Sequence, residues 1–237
     1  MRPLFQLDSR LSLCASFVPP GARLADIGTD HGYLPIWLAK TGRIAHAVAA
    51  DLRPGPLERA RENVKKYRVE EIVQLRLSDG LQAIFPAETD FIVIAGMGGE
   101  VIVSILDAAP WLKETGIRLA LQPMTRAEDL RRYLADHGFE ILEERPVISQ
   151  GRPYSVLLTV YTGRREEKEL LFPYLGKLLE FPFTDEKERN AAAAYLEKQF
   201  RHLQNLEKGA RARGGSAAQE EYRLALEAMK GLLREEF

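Results

Sequence analysis

The hydrophobic positions in the N-terminal two thirds of the chain alternate between two periods. Short apolar runs typical of buried strands are separated by stretches with apolar residues at helical spacing. The runs that we predict to be strands are 23–27, 46–51, 73–77, 91–95 and 118–121. The stretches that we predict to be helices are 8–17, 34–41, 56–67, 99–108 and 126–137. This alternation predicts parallel β-α-β units, in which ligands bind at the carboxyl ends of the strands.

The next two apolar runs, 140–147 and 155–161, follow each other without an intervening helical pattern. Gln150-Gly151-Arg152-Pro153 lies between them and is typical of a turn. We therefore predict an antiparallel pair that completes a mixed sheet of seven strands.

Beyond Thr162 the pattern becomes helical and rich in charge. One helix is predicted at 164–180, and a capping box of Asp185 and Glu188 predicts a longer helix to about residue 208. A last helix carries apolar residues at helical spacing, namely Tyr222, Leu226, Met229 and Leu233. Two such stripes around a short glycine-containing turn predict a helical hairpin. The predicted organisation is an α/β domain at 1–162 and a small all-α, coiled-coil-like domain at 163–237.

Composition removes several classes of protein from consideration. The 237 residues carry a formal net charge of −1, with 46% hydrophobic and 28% charged residues, so no overall basic field indicates nucleic acid. Cys14 is the single cysteine, which excludes disulfides and thiolate metal sites within the chain. The four histidines show no metal-ligand spacing, and no signal sequence or membrane-spanning run is present. We expect a cytoplasmic protein that binds neither metal nor membrane, and a monomer rather than an oligomer.

The turn after the first predicted strand carries the most chemical information. A dinucleotide-binding turn follows G-x-G-x-x-G, and its second glycine lets the backbone approach the pyrophosphate. Asp30 occupies that position here. A carboxylate would repel a pyrophosphate by about 1 kcal/mol or more. S-adenosylmethionine instead presents a sulfonium and an ammonium, so Asp26 and Asp30 favour this methyl donor.

Three further strand ends carry suitable groups. Asp51 ends the second strand, where a carboxylate can accept hydrogen bonds from both ribose hydroxyls. Asp79, in Ser78-Asp79-Gly80, can accept from the adenine amino group, although an aspartate there could equally cap a helix. Glycines 96, 98 and 99 bring bare backbone to the fourth strand end, although they could also be a simple tight turn.

Some acceptor classes lack their usual residues. Methyltransferases that act on exocyclic amines of bases commonly carry [DNS]-P-P-[YFW] after the fourth strand, and this chain has Gly96-Met97-Gly98-Gly99. Cys14 precedes the first strand, so it cannot act as the nucleophile of cytosine-C5 methylation.

Three motifs together resemble the TrmK family of bacterial tRNA methyltransferases. They are Asp-Ile-Gly-Thr-Asp-His-Gly-Tyr-Leu-Pro at 26–35, Ile-Ala-Gly-Met-Gly-Gly at 94–99 and Leu-Gln-Pro-Met at 121–124. The resemblance covers nearly the whole chain. It implies a Rossmann-like class I methyltransferase with a mostly parallel seven-stranded sheet and a helical C-terminal domain. It also implies S-adenosyl-L-methionine as cofactor and N1 of adenine 22 in tRNA as methyl acceptor.

Motifs and resemblance together define the predicted site. The residues predicted to bind the cofactor are Asp26, Gly28, Thr29, Gly32, Asp51, Leu52, Asn63, Ser78, Asp79, Gly80, Gly96, Met97 and Gly98. Asp30 and His31 are predicted to be catalytic, Asp30 by stabilising positive charge near N6 of the adenine. The residues predicted to bind the substrate are Arg10, Tyr33, Arg53, Gln122, Met124 and Tyr154. A basic stretch, in which solvated helix residues are an equally good interpretation, comprises Lys198, Arg201, His202, Lys208, Arg211 and Arg213.

Three alternatives stay open on the sequence alone. The chain could methylate a small molecule or another RNA position, could be an NAD-dependent oxidoreductase, or could be a non-catalytic RNA-binding module that keeps the fold. The retention of Asp26, Asp51 and Asp79 argues against the last of these.

Overall fold

The computed structural model describes residues 3–165, 169–212, 214 and 217–235. The strands are β1 (Ala22–Ile27), β2 (Ile44–Asp51), β3 (Val73–Leu77), β4 (Phe91–Gly98), β5 (Arg118–Thr125), β6 (Phe139–Ser149) and β7 (Arg152–Tyr161). The helices are α1 (Ser9–Phe17), α2 (Tyr33–Lys40), α3 (Pro54–Tyr67), α4 (Gly99–Asp107), α5 (Leu112–Thr115), α6 (Ala127–Asp136), α7 (Phe172–Leu175), α8 (Glu186–Ala212) and α9 (Ala217–Glu235).

The seven strands form one sheet in the order β3-β2-β1-β4-β5-β7-β6. The first five strands pair in parallel, and β7 is antiparallel to both β5 and β6. The predicted mixed sheet is therefore confirmed, although β4, β5 and β7 are each longer than predicted and Arg152 and Pro153 belong to β7. Chain order reverses between β1 and β4, which is where open α/β sheets bind ligands.

Two apolar layers cover the sheet, one on each face. On one face, α4 and α6 bury residues such as Ile102 and Leu130 against the strands. On the other face, α1 and α2 bury residues such as Cys14 and Ile36. With both faces covered, the central strands are apolar over most of their length, and Asp26 and Asp51 lie at or near the carboxyl ends of β1 and β2.

Helix starts near the carboxyl edge of the sheet have identifiable local causes. Asp8 caps α1 by accepting a 2.8 Å hydrogen bond from the Leu11 amide. Pro54 opens α3, where its missing amide hydrogen is no loss. Gly32 precedes α2 in the left-handed conformation (φ 73°), and a side chain there would press on Ile36 and Ala60.

Helices α8 and α9 pack on each other as the predicted hairpin. Their shared core contains Leu196, Leu203 and Met229, all fully buried. Helix α8 also packs on β6 and β7, which joins the hairpin to the edge of the sheet. Arg213, from the predicted basic stretch, lies outside the described residues.

The prediction of one helix at 164–180 was wrong for the residues described there, because only Phe172–Leu175 is helical. The carbonyls of Pro173 and Tyr174 accept hydrogen bonds from the Arg131 guanidinium, each at 3.0 Å, instead of continuing a helix. Gly176 then has φ 55° and ψ −131°, and a side chain on it would overlap Glu144. These tertiary contacts limit the helix to one turn.

Arg131 and Glu144 form a fully buried ion pair at this junction, 2.5 Å apart and with no side-chain exposure. The guanidinium also donates to the hydroxyls of Ser155 and Tyr195. Burial opposes the charge on Arg131, but the Glu144 carboxylate and Tyr195 hold its pKa above the ordinary value. The pair thereby ties α6, β6, β7 and α8 together.

Two kinds of feature are absent from the residues that the structure describes. No group of three or more His, Cys, Asp or Glu side chains is placed to hold a metal ion. No helix there combines the length and the hydropathy that a membrane crossing needs.

Candidate functional site

The carboxyl ends of β1 to β4 surround an open cleft of about 620 Å³. Most of the predicted site residues line it, although they come from segments far apart in the chain. The predicted residues in the cleft wall are Arg10, Asp26, Gly28, Thr29, Asp30, Tyr33, Asp51, Leu52, Arg53, Ser78, Asp79, Gly80, Gly96, Met97 and Met124.

The first turn is held against the end of β2 by its backbone. The amides of Gly28 and Thr29 both donate to the Ala50 carbonyl, at 2.8 and 2.9 Å. Gly28 has φ 72°, and a side chain there would overlap Met97 across the cleft. The Thr29 hydroxyl donates to the Asp26 carboxylate at 2.6 Å. The turn therefore approaches β4 closely and leaves a narrow, glycine-lined wall.

Asp26 is almost fully buried at the floor of the cleft. Burial raises the pKa of its carboxyl to about 6; the nearby charge of Asp51 raises it too, and Thr29 opposes the rise. Because burial disfavours the charged form of this carboxyl, any cation that enters the cleft stabilises the carboxylate. The geometry suits a positively charged ligand.

Asp51 is also buried, and backbone amides fix its carboxylate. One oxygen accepts from the Arg53 amide at 2.9 Å, and the other accepts from the Asp30 amide at 3.3 Å. Each carboxylate oxygen has two lone-pair directions, so both oxygens can accept again. Asp51 can thus receive two hydroxyl groups from a ligand in the cleft.

At the end of β3, Ser78 holds the turn while Asp79 faces solvent. The Ser78 hydroxyl donates to the Gly80 carbonyl and accepts from the Ala83 amide, at 2.9 and 3.1 Å. In the described part of the chain, the Asp79 carboxylate accepts no hydrogen bond and so does not cap a helix. Its oxygens are free for a ligand amino group.

Asp30 and His31 lie at the mouth of the cleft. Asp30 has φ 51°, a conformation that costs a non-glycine residue about 1 kcal/mol, and its side chain is 62% exposed. His31 Nε2 lies 3.4 Å from Asp30 Oδ2. The His31 ring stacks on Tyr33 with the ring planes 11° apart, and Tyr33 meets the edge of Phe5. Asp30 therefore projects its charge over the entrance, with His31 beside it.

Several predicted residues lie behind the cleft wall rather than in it. Asn63 donates to the His31 carbonyl at 3.0 Å, and Gly98 faces Glu100 and Thr125. Gln122 is fully buried, and its Oε1 accepts from the Gly96 amide at 3.2 Å. Together with Gly32, which also lies outside the wall, these residues support the cleft from behind, whereas His31 lies beside the cleft mouth without lining it.

Arg10 connects this support to the cleft. Its guanidinium donates to Gln122 Oε1 at 2.9 Å and to the Met124 sulfur at 3.2 Å, and it pairs with Asp8 at 2.8 Å. It also lies 5.7 Å above the ring of Tyr154. Tyr154 is buried beneath Arg10, so it supports Arg10 without lining the cleft.

Sequence reasoning missed the wall of the cleft that α4 forms. Val101, Ser104 and Ile105 line it, and Val101 is 46% exposed. Ile105 packs so closely on Gly80 that a side chain on Gly80 would collide with it. The sequence pattern does not distinguish Val101 from the buried apolar residues of α4, so only the structure shows that it is exposed to the cleft. These residues add the apolar surface that a flat aromatic base needs.

Comparison with known proteins places these features in context. Residues 7–157 match the model of a methyltransferase domain. The tRNA (adenine(22)-N(1))-methyltransferase of Bacillus subtilis (strain 168) is 34% identical over 200 residues, which are 84% of this chain and 82% of that protein.

Two solved structures cover nearly the full chain. The B. subtilis M1A22 tRNA methyltransferase TrmK superposes with a TM-score of 0.79 at 28% identity, covering 98% of this chain and 100% of that one. Sp1610 of Streptococcus pneumoniae, in complex with S-adenosyl-L-methionine, has a TM-score of 0.78 at 32% identity and covers 94% and 98%.

Proposed function

The chain belongs to the methyltransferase family that includes the B. subtilis tRNA (adenine(22)-N(1))-methyltransferase, and we propose that it methylates N1 of adenine 22 in tRNA. It is an enzyme whose cofactor is S-adenosyl-L-methionine, as the family implies. Membership decides against the NAD-dependent oxidoreductase and the non-catalytic module. The methyl acceptor and the role of each residue belong to the proposal.

The observation that carries the proposal is the set of carboxylates around the glycine-lined cleft. Asp26 and Asp51 are buried there, and Asp51 keeps acceptor capacity on both oxygens. In the proposed arrangement, Asp51 accepts from the ribose hydroxyls, Asp79 accepts from the adenine amino group, and Asp26 offsets the positive charge of the cofactor. When bound, the cofactor supplies a methyl group activated by a sulfonium.

The proposed acceptor needs no covalent nucleophile from the protein. N1 of adenine has a lone pair that can attack a methyl carbon, and the methylated base stays cationic until a proton leaves N6. The exposed carboxylate of Asp30 lies at the mouth of the cleft, where it would stabilise this charge as it develops. His31 lies beside that carboxylate and would position it, and Tyr33 would flank the base.

The substrate side of the cleft is assigned to Arg10, Arg53 and Met124, with Gln122 and Tyr154 holding Arg10 in place. We assign cofactor binding and catalysis to residues 1–162, and additional contacts with the tRNA to residues 163–237. The target base lies in a folded RNA, so it must leave the base stack before its N1 atom can enter the cleft.

A transfer assay with labelled cofactor tests the proposal. The protein is incubated with a tRNA transcript that has adenine at position 22 and, as control, with the same transcript carrying guanine there. Nucleosides are released at neutral pH, because alkali converts 1-methyladenosine to N6-methyladenosine. We expect label in 1-methyladenosine from the first transcript and none from the second. Label in another nucleoside, at another position, or only in small molecules would refute it.

A further inference from the structure

A second groove, of about 560 Å³, lies beside the cofactor cleft, between the β6–β7 turn and α8. We call it the hairpin groove. Its lining includes Met124, Gly151, Arg152, Tyr154, Lys198 and Arg201. Met124 lines both spaces, and Arg10 lines the cleft while lying over Tyr154. The groove therefore leads directly into the substrate side of the cleft.

Lys198, on α8, is the central cation of the groove. Its ammonium donates to the Pro153 carbonyl at 3.0 Å and lies 5.0 Å from the Tyr154 ring centre and 5.8 Å from that of Tyr195. Burial lowers the pKa of Lys198, with the nearby Glu128 carboxylate opposing the shift. An ammonium has three donors, and the hydrogen bond to Pro153 uses one of them.

Glu128 does not neutralise this charge by contact. Its carboxylate is engaged with His202, 3.1 Å away. Over the described ranges, no carboxylate lies within ion-pair distance of Lys198. The half-buried ammonium therefore interacts strongly with a negative charge that enters the groove, because partial burial weakens solvent screening.

The remaining charge of the groove has the same sign. Arg152 is exposed at the start of β7, and its guanidinium pairs with no carboxylate among the residues that the structure describes. Arg201 is exposed and pairs with Glu197, one helical turn away, at 3.0 Å. The lining contains three cations and no acidic residue. This composition favours an extended anion rather than a neutral ligand.

We propose that the hairpin groove binds the phosphate backbone of the RNA next to the nucleotide whose base enters the cleft, through Lys198 and Arg152. The inference rests on the proposed function, since it takes the polyanion to be the tRNA substrate. Backbone contacts of this kind position a nucleic acid without reading its sequence. Through Lys198, the C-terminal helices thus contribute directly to the substrate path.

Binding of an unmodified tRNA transcript, measured by filter retention over a range of salt concentrations, tests the groove. The variants are Lys198→Met and Arg152→Met. Lys65→Met is the matched control, because Lys65 is exposed on α3, which covers β2 and β3 at the opposite edge of the sheet. We expect each groove variant to weaken tRNA binding about tenfold and to reduce the salt dependence by about one counterion. The control should match the wild type, and cofactor affinity should be unchanged throughout.

Arg152 is exposed, so its substitution tests the groove even if Lys198→Met impairs folding. The inference would be overturned if Arg152→Met, and a folded Lys198→Met, bound tRNA with the affinity and salt dependence of the wild type. The inference would also be overturned if polyglutamate, and not tRNA, occupied the groove. The wild-type methylation assay separates the two proposals. If the variants lost tRNA binding but the wild-type protein formed no 1-methyladenosine, the groove would be supported and the proposed function refuted.

Discussion

Two clusters of charged residues in this molecule differ in how completely their hydrogen bonds are satisfied. Arg131 and Glu144 are fully buried, and the guanidinium has five partner groups: the carboxylate, two hydroxyls and two backbone carbonyls. In the cofactor cleft, by contrast, Asp30 is 62% exposed and Asp79 has no hydrogen-bond partner among the described residues.

The contrast separates a structural role from a ligand-binding role. A buried charge is tolerated only when its partners are all present, and such a pair leaves nothing for a ligand. Carboxylates with free lone pairs at an open cleft are instead stabilised by what binds there.

Removing one partner of the buried pair should destabilise the fold most. Glu144→Gln leaves the Arg131 charge buried without its counter-ion, and we expect the free energy of unfolding to fall by about 3–5 kcal/mol. Glu143→Gln is the matched control. Glu143 pairs with Arg145 near the surface at 2.6 Å, so its loss should cost under about 1 kcal/mol. Urea unfolding measures both, and equal losses would contradict the structural assignment.

Asp30→Asn should slow methyl transfer with little effect on stability. Loss of the carboxylate near the developing positive charge is expected to lower kcat about a hundredfold, roughly 2.7 kcal/mol in the barrier. Cofactor affinity should stay the same. The control is Asp90→Asn, since Asp90 precedes β4 at the opposite end of the sheet and pairs with Arg23. Single-turnover rates of methyl transfer at saturating tRNA measure the effect. An unchanged rate in Asp30→Asn would contradict a catalytic role for Asp30.

Asp51→Ala should weaken cofactor binding about thirtyfold, roughly 2 kcal/mol, because two hydrogen bonds to a buried carboxylate are lost. Asp79→Ala should weaken it less, since Asp79 is exposed to competing water. Calorimetric titration with S-adenosyl-L-methionine compares the two variants. A larger effect at Asp79 than at Asp51 would reverse the assigned roles.

Cofactor affinity should depend on pH through Asp26. Its pKa of about 6 in the folded protein lies above the ordinary 3.8, so the carboxylate takes up a proton as pH falls through 6. Affinity should then fall by up to about tenfold per pH unit below 6. The folding stability of the cofactor-free protein should change in the opposite direction and increase as pH falls. The contribution of Asp26 to that stability is fully present below pH 3.8 and is lost as pH rises through 6.

Titrations between pH 5 and 7 in wild type and Asp26→Asn check this dependence. The variant should bind the cofactor more weakly and with little change over this range. The same pH dependence in both proteins would assign the titrating group elsewhere.

The sequence alone was sufficient for most of the fold, because hydrophobic period and turn residues are local properties. Each of the seven predicted strands was confirmed, as were the helices at 8–17, 126–137 and the C-terminal hairpin. The failure at 164–180 has the opposite cause. That segment is helical in pattern, but Arg131 and Glu144, distant in the chain, bind its backbone.

By itself the sequence determined the order of the elements, the cofactor class and the family, since these depend on residues adjacent in the chain. The TrmK resemblance of the three motifs was confirmed by relatives along nearly the whole chain. Only the tertiary structure decided that Asp79 does not cap a helix and that Asn63 and Gln122 lie behind the cleft. It also decided that the Lys198 ammonium lies over the Tyr154 ring. Such contacts join residues far apart in sequence, and they exist only once α8 and the sheet edge have packed together.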